Sequence, residues 1–199
     1  MKRIGILLRE KDGYKALNDE LINYLESYDV SLLGIVADEK MDFNKIIDLI
    51  NLCDGVILPG GTDESIVGIK ICNYLYRIDK PTLGICLGMQ NMAESANGLL
   101  AKLESNNHNC NNMYAHKVNI KRGTLLNDII GISPINVNSR HNYHVLKTDL
   151  SICAYSNDFI IEAIEDKNKK FYLGVQWHPE SLINDLNSKL IIDEFINKC

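Results

Sequence analysis

No apolar run in this 199-residue chain approaches the roughly 20 residues that a membrane-spanning helix needs, so no membrane partner is expected. A basic excess is missing as well: 21 lysines and arginines stand against 26 aspartates and glutamates, for a formal net charge of −5. Without surplus cations to neutralise phosphates, nucleic acid is not an expected partner. Nor is a secretory leader indicated. The apolar residues 4–8 that follow Lys2 and Arg3 are broken by Arg9 and Glu10, too short for a signal peptide, and read better as a buried first strand of a cytoplasmic protein. The six cysteines (Cys53, Cys72, Cys86, Cys110, Cys153, Cys199) contain no Cys-x-x-Cys pair, and nothing points to export, so free thiols are expected rather than disulfides. The nearest approaches to metal-ligand spacing, His108-x-Cys110 and His141-x-x-His144, lack the pattern of a structural zinc site, so no metal is expected. Internal repeats and Pro/Ser-rich linkers are also missing, which favours one domain over residues 1–199.

What the chain does have is 46% hydrophobic residues, enough at this length for one sizeable core. Strand-like runs at 3–8 and 30–36 flank an expected helix at 14–27, where Leu17, Leu21, Tyr24 and Leu25 share a face. A helix at 43–52 leads into the strand 55–58 and Pro59-Gly60-Gly61. Helical period returns at 65–78, and Pro81 ends it before the strand 82–85. A further helix is expected from Cys86 to Asn97-Gly98, with the glycine as cap. The βαβα alternation predicts an α/β fold, a mostly parallel sheet with helices on both faces. The second half differs. Its short strands at 117–121, 135–140, 150–156, 159–165 and 171–177 predict a small antiparallel extension, closed by a helix at 182–197. The asparagine-rich residues 104–114 read as an exposed, mobile loop.

Three segments carry chemistry. In Leu83-Gly84-Ile85-Cys86-Leu87-Gly88-Met89-Gln90 a buried strand runs into Gly-x-Cys-x-Gly and then into helix formers, the thiol counterpart of a nucleophile elbow. The side chain of Cys86 would project from the C-terminal edge of the sheet, and the helix N-terminus would favour its thiolate. A buried inert cysteine is the alternative, which the flanking glycines weigh against. In Gly174-Val175-Gln176-Trp177-His178-Pro179-Glu180 a strand delivers His178, and Glu180 stands where its carboxylate could orient the imidazole. Pro59-Gly60-Gly61 ends a strand in a sharp turn. With the N–H of Leu87, the N–H of Gly60 or Gly61 would form an oxyanion hole; an ordinary tight turn is the other reading. A phosphate loop is not supported, since neither glycine-rich phosphate signature occurs.

Together, in this order, the segments resemble the class I glutamine amidotransferase superfamily over roughly residues 2–197. Within it the chain looks most like the γ-glutamyl-γ-aminobutyrate hydrolase type, peptidase family C26, through residues 83–90, Val137-Asn138-Ser139-Arg140-His141, and residues 161–165 with 173–180. The resemblance implies a flavodoxin-like open, twisted sheet. It further implies that Cys86 attacks a γ-glutamyl carbonyl to form a thioester, that His178 moves the proton, that Glu180 orients His178, and that water releases glutamate. Gln90 and the segment with Ser139, Arg140 and His141 would contact the substrate. No cofactor is implied.

The match has two gaps. Hydrolases of this type commonly carry Asn-Ser-x-His-His-Gln where this chain reads Asn138-Ser139-Arg140-His141-Asn142-Tyr143, and the loop after Gly61 lacks their longer insertion. Both changes fall where the leaving amine would sit. Arg140 would meet an anionic leaving group, or is a solvated surface arginine. The expected function is therefore a stand-alone hydrolase of a small γ-glutamyl amine, with a homodimer as one possible assembly. One alternative is a glutaminase subunit that delivers ammonia to a synthetase partner; another is a thiol-based redox sensor with no catalysis.

Overall fold

The computed structural model describes residues 1–62, 66–104 and 106–199. The expected helix start at Ser65, and Ser105 of the asparagine-rich loop, lie outside them. In chain order the elements are β1 (Lys2–Leu7), β2 (Arg9–Lys11), β3 (Tyr14–Ala16), α1 (Asp19–Leu25), β4 (Val30–Ile35), α2 (Phe43–Asn51) and β5 (Gly55–Leu58). There follow α3 (Ile66–Arg77), β6 (Thr82–Ile85), α4 (Leu87–Ser95), β7 (Leu99–Lys102), β8 (His116–Ile120), α5 (Leu125–Ile130) and β9 (Ile135–Val137). The last are β10 (Tyr143–Lys147), β11 (Ser151–Ser156), β12 (Ile161–Glu165), β13 (Tyr172–Val175) and α6 (Leu186–Lys198).

Nine strands form one sheet in the order β4-β1-β5-β6-β13-β12-β11-β8-β9. The first five are mutually parallel. Counted among themselves along the chain, they lie in the order 2-1-3-4-5, the flavodoxin-like arrangement. From β13 onward every pairing is antiparallel, so the expected extension continues the same sheet. The strands alternate between two apolar layers, as a period of two requires. Ile57 of β5 and Leu83 and Ile85 of β6 pack with α1, α5 and α6 on one face, against Leu25, Leu126 and Phe195. Val56 and Leu58 face the other way, against Ile46 of α2, Ile71 of α3 and Met92 of α4. Helices therefore cover both faces.

Several local expectations are corrected. The helix placed at 14–27 begins only at Asp19, because β2 and β3 form a hairpin around Asp12-Gly13, whose positive φ values of 51° and 82° suit a tight two-residue turn. The strand at 30–36 is the sheet's edge and is only partly buried. Asn97, not Gly98, takes the left-handed position after α4 (φ 57°), and the Gly98 N–H bonds the Ala93 carbonyl in a Schellman closure. The final helix starts at Leu186 behind its Asp185 cap, four residues later than expected; residues 179–181 form a separate 3-10 turn. Three further elements went unread. The β7–β10 ribbon is short and has an irregular register, and α5 is a six-residue helix between a Thr124 cap and a left-handed Gly131. Residues 104–114 are not simply an exposed loop, since their 3-10 turn buries His108 to 2% exposure.

Candidate active site

The end of β6 delivers Cys86 in a conformation that few non-glycine residues adopt, φ 52° and ψ −105°, directly before α4. Its N–H is tied to the Val175 carbonyl of β13 at 2.8 Å. The glycines on either side explain how the bend is accommodated. A Cβ on Gly88 would collide with the Leu58 carbonyl, and one on Gly84 would lie 2.8 Å from the Met89 nitrogen. Strain of this kind costs about 1–3 kcal/mol and persists because the surrounding strands and helix fix the chain.

Beyond β13 the chain presents His178, whose Nδ1 lies 2.6 Å from Oε1 of Glu180. Cys86 stands beside the same ring, near enough for the thiol to favour the imidazolium. Burial alone would make His178 shed its proton, but the Glu180 charge and the hydrogen bonds to Cys86 and Glu180 outweigh it and raise the pKa to about 10. The imidazole thus keeps its proton through neutral pH. Gly60 completes the close packing: a Cβ there would stand 2.7 Å from Cε1 of His178 and 3.5 Å from Cβ of Cys86. Leu87 is the first residue of α4, where helix geometry leaves the backbone N–H without an intrahelical acceptor. The thiol, the imidazole, the carboxylate, Gly60 and Leu87 are therefore gathered at the C-terminal edge of the parallel strands. A cleft of about 500 Å³ opens beside them, lined among others by Lys11 of the β2–β3 hairpin, Gly60, Gly61, Arg140 and His178.

The other expected contacts divide. Gln90 is buried, and its Nε2 donates to the Tyr143 carbonyl at 3.0 Å and to Oε1 of Gln176 at 3.2 Å. Ser139 and His141 turn their side chains inward: Ser139 Oγ donates to the His108 carbonyl, and His141 Nδ1 lies 2.9 Å from the Tyr143 carbonyl. Neither side chain lines the cleft, and the adjoining backbone is paired as well, the His141 N–H to the His108 carbonyl and the Ser139 carbonyl to the Cys110 N–H. Arg140 does line the cleft, yet it is no free surface arginine, since it donates to Ser181 Oγ and reaches Oε2 of Glu20.

Two residues that support the site were not singled out from the sequence. Asn138 brackets His178, accepting from its N–H and donating to its carbonyl, each at 2.8 Å. Arg9 is buried beneath the Pro-Gly-Gly turn, where its Nε and Nη2 donate to the Pro59 carbonyl at 3.0 and 2.8 Å and its Nη1 to Oδ1 of Asn91. A charged residue just after an apolar strand was the available signal for Arg9.

The peptidase C26 family model matches residues 65–180, more than half of the chain. The chain belongs to the peptidase C26 family. Its sequence is 32% identical to one subunit of a glutamine-hydrolysing GMP synthase from Picrophilus torridus, over 86% of this chain and 88% of that one. It is 28% identical to anthranilate synthase component 2 of Cyanophora paradoxa, over 94% and 96%. The glutaminase domain of Trypanosoma brucei CTPS superposes with a TM-score of 0.76 at 17% identity, covering 100% of this chain and 93% of that one, which speaks to the fold. As a member of peptidase C26 the chain is a glutamine amidotransferase-type domain, a class that hydrolyses carbon–nitrogen bonds. No helix among its described residues is long and apolar enough to cross a membrane.

Proposed function

We propose that this peptidase C26 protein hydrolyses the γ-glutamyl amide bond of a small γ-glutamyl amine through a thioester on Cys86. The observation that carries the reading is that Cys86 and His178 meet beside Gly60, with the imidazole Nδ1 held at 2.6 Å by Glu180. Sγ of Cys86 bonds to the γ-glutamyl carbonyl carbon while the thiol proton resides on His178. The oxyanion is met by the N–H of Leu87 and of Gly60 or Gly61. Collapse of that intermediate breaks the C–N bond, and His178 gives its proton to the departing amine. Water then attacks the thioester, with its proton passing to His178, and glutamate leaves with Cys86 restored. Gln90 bounds the glutamyl side. Arg140 lines the leaving-group side, together with Lys11.

A second reading has a specific observation in its favour: two relatives are named as components of synthases. In it the amide is glutamine, and the ammonia passes to a synthetase partner. Glutamate release by the purified protein separates the two. Turnover of γ-glutamyl amines without any partner supports the first. Inertness toward them, with glutamine hydrolysis appearing only once a synthetase is added, would overturn it.

A further inference from the structure

Four side chains that the cysteine chemistry does not use converge on one buried point. Glu162 of β12 is fully buried, and its Oε1 lies 3.0 Å from Nε2 of His116, 3.3 Å from Nδ1 of His108 and 3.9 Å from Nε2 of His141. For His141 the hydrogen bond fixes which nitrogen carries the proton. His141 Nδ1 faces the Tyr143 carbonyl at 2.9 Å, and a carbonyl only accepts, so Nδ1 donates and the neutral ring turns the Nε2 lone pair toward Glu162. His108 faces two carboxylates, Oδ2 of Asp158 at 2.9 Å from Nε2 and Oε1 of Glu162 at 3.3 Å from Nδ1. Ser139 Oγ, 3.5 Å from that Nδ1, gives its own proton to the His108 carbonyl. His141 Nε2 and Glu162 Oε2 are buried with no hydrogen-bond partner. The His141 Nε2 lone pair and a buried carboxylate repel one another unless a cation lies between them.

We infer that His108, His116 and Glu162 form a structural site for one divalent transition-metal ion of the zinc class, with Nε2 of His141 at its rim. Two imidazole nitrogens and one carboxylate oxygen are a zinc donor set, and the nitrogen content argues against calcium or magnesium. Tetrahedral bonds of about 2.0–2.1 Å place donors roughly 3.4 Å apart. The separations of His116 and His108 from Glu162, 3.0 and 3.3 Å, lie near that spacing, and His141 follows at 3.9 Å. The donors of His108, His116 and Glu162 also lie within 4.8 Å of one another. Outer partners orient two of the rings, Asp158 on His108 and the Tyr143 carbonyl on His141, whereas Nδ1 of His116 has no partner. Held by three protein donors, the ion pins the turn holding His108, the start of β8 and β12 to one another. The spacing-based expectation of no metal failed to register this set because its members stand on three separate segments.

The test uses chelator-treated Cys86→Ala protein, so that the active-site thiol cannot compete, titrated with Co²⁺ and then Zn²⁺. About one Co²⁺ per chain should bind with the intense visible absorption of four-coordinate cobalt, and Zn²⁺ should displace it. The unfolding midpoint should rise by roughly 5–10 °C at a hundredfold excess over Kd. In the same background His116→Gln, the most exposed of the three, and Glu162→Gln should lose the cobalt absorption, whereas His178→Gln should keep it. Folded Cys86→Ala protein that binds neither ion would overturn the inference and leave a proton as the cluster's cation. Binding that survives both His116→Gln and Glu162→Gln would overturn it equally. The direct titration decides even where a variant fails to fold.

Discussion

Asn138 grips the peptide backbone of His178 from both sides, at 2.8 Å each, across 40 residues of sequence. The imidazole that faces Cys86 therefore has its main chain fixed by one amide and its ring fixed by Glu180. Removing either restraint tests how much the arrangement depends on position.

Asn138→Ala leaves the N–H and carbonyl of His178 without these partners, at about 1–3 kcal/mol for each group that stays buried. We predict kcat lower by about 10- to 100-fold with KM nearly unchanged, because a shift of about 1 Å in the imidazole is enough for such a loss. Steady-state kinetics on a folded variant checks this, and wild-type kcat would rule out a positioning role.

Glu180→Gln keeps the shape but removes the charge that holds the proton on His178. Activity should fall by about 10²–10⁴-fold, as for other triads that lose their orienting carboxylate. Cys86→Ala should abolish acyl-enzyme formation, read by mass spectrometry after mixing with substrate.

The raised pKa of His178 has a definite sign in stability. Folded His178 titrates near 10 against an ordinary 6.5, so its contribution is complete below about pH 6.5 and is lost as pH rises toward 10. The difference in unfolding midpoint between wild type and Glu180→Gln should therefore shrink across that interval. A gap that stays constant from pH 6 to 10, on the order of that window, would contradict the coupling. The alkaline limb of kcat should fall near the same pH, as His178 loses its proton.

Gly88→Ala drives a methyl group into the Leu58 carbonyl, where only backbone could give way. The expected cost is at least about 1–3 kcal/mol, seen in denaturant melts. Gly60→Ala aims its methyl at the His178 ring, so activity should drop further than stability. Equal losses in the two variants would argue against that distinction.

Arg9→Lys cannot reproduce the two bonds that Nε and Nη2 make to the Pro59 carbonyl. The Pro-Gly-Gly turn should loosen, lowering kcat by roughly tenfold. An unchanged kcat would show that the turn holds itself.

By itself the sequence determined the pieces whose physics is local. Gly84 and Gly88 around Cys86 announce a bend that only close backbone contact demands, and Pro179 fixes Glu180 within reach of His178. The alternation of strands and helices likewise announced the parallel sheet. Even local signals were lost where a helical period competed with them, as at Asp12-Gly13. Only the tertiary structure decided which distant residues meet. Arg9 with Pro59, Asn138 with His178, and Glu162 with three histidines are joined across 50, 40 and up to 54 residues. The cause is strand order and register, which no local periodicity encodes. Packing β12 beside β13 brings the Glu162 strand within hydrogen-bonding distance of the segment that carries His178, through the Gln176 N–H and the Glu162 carbonyl.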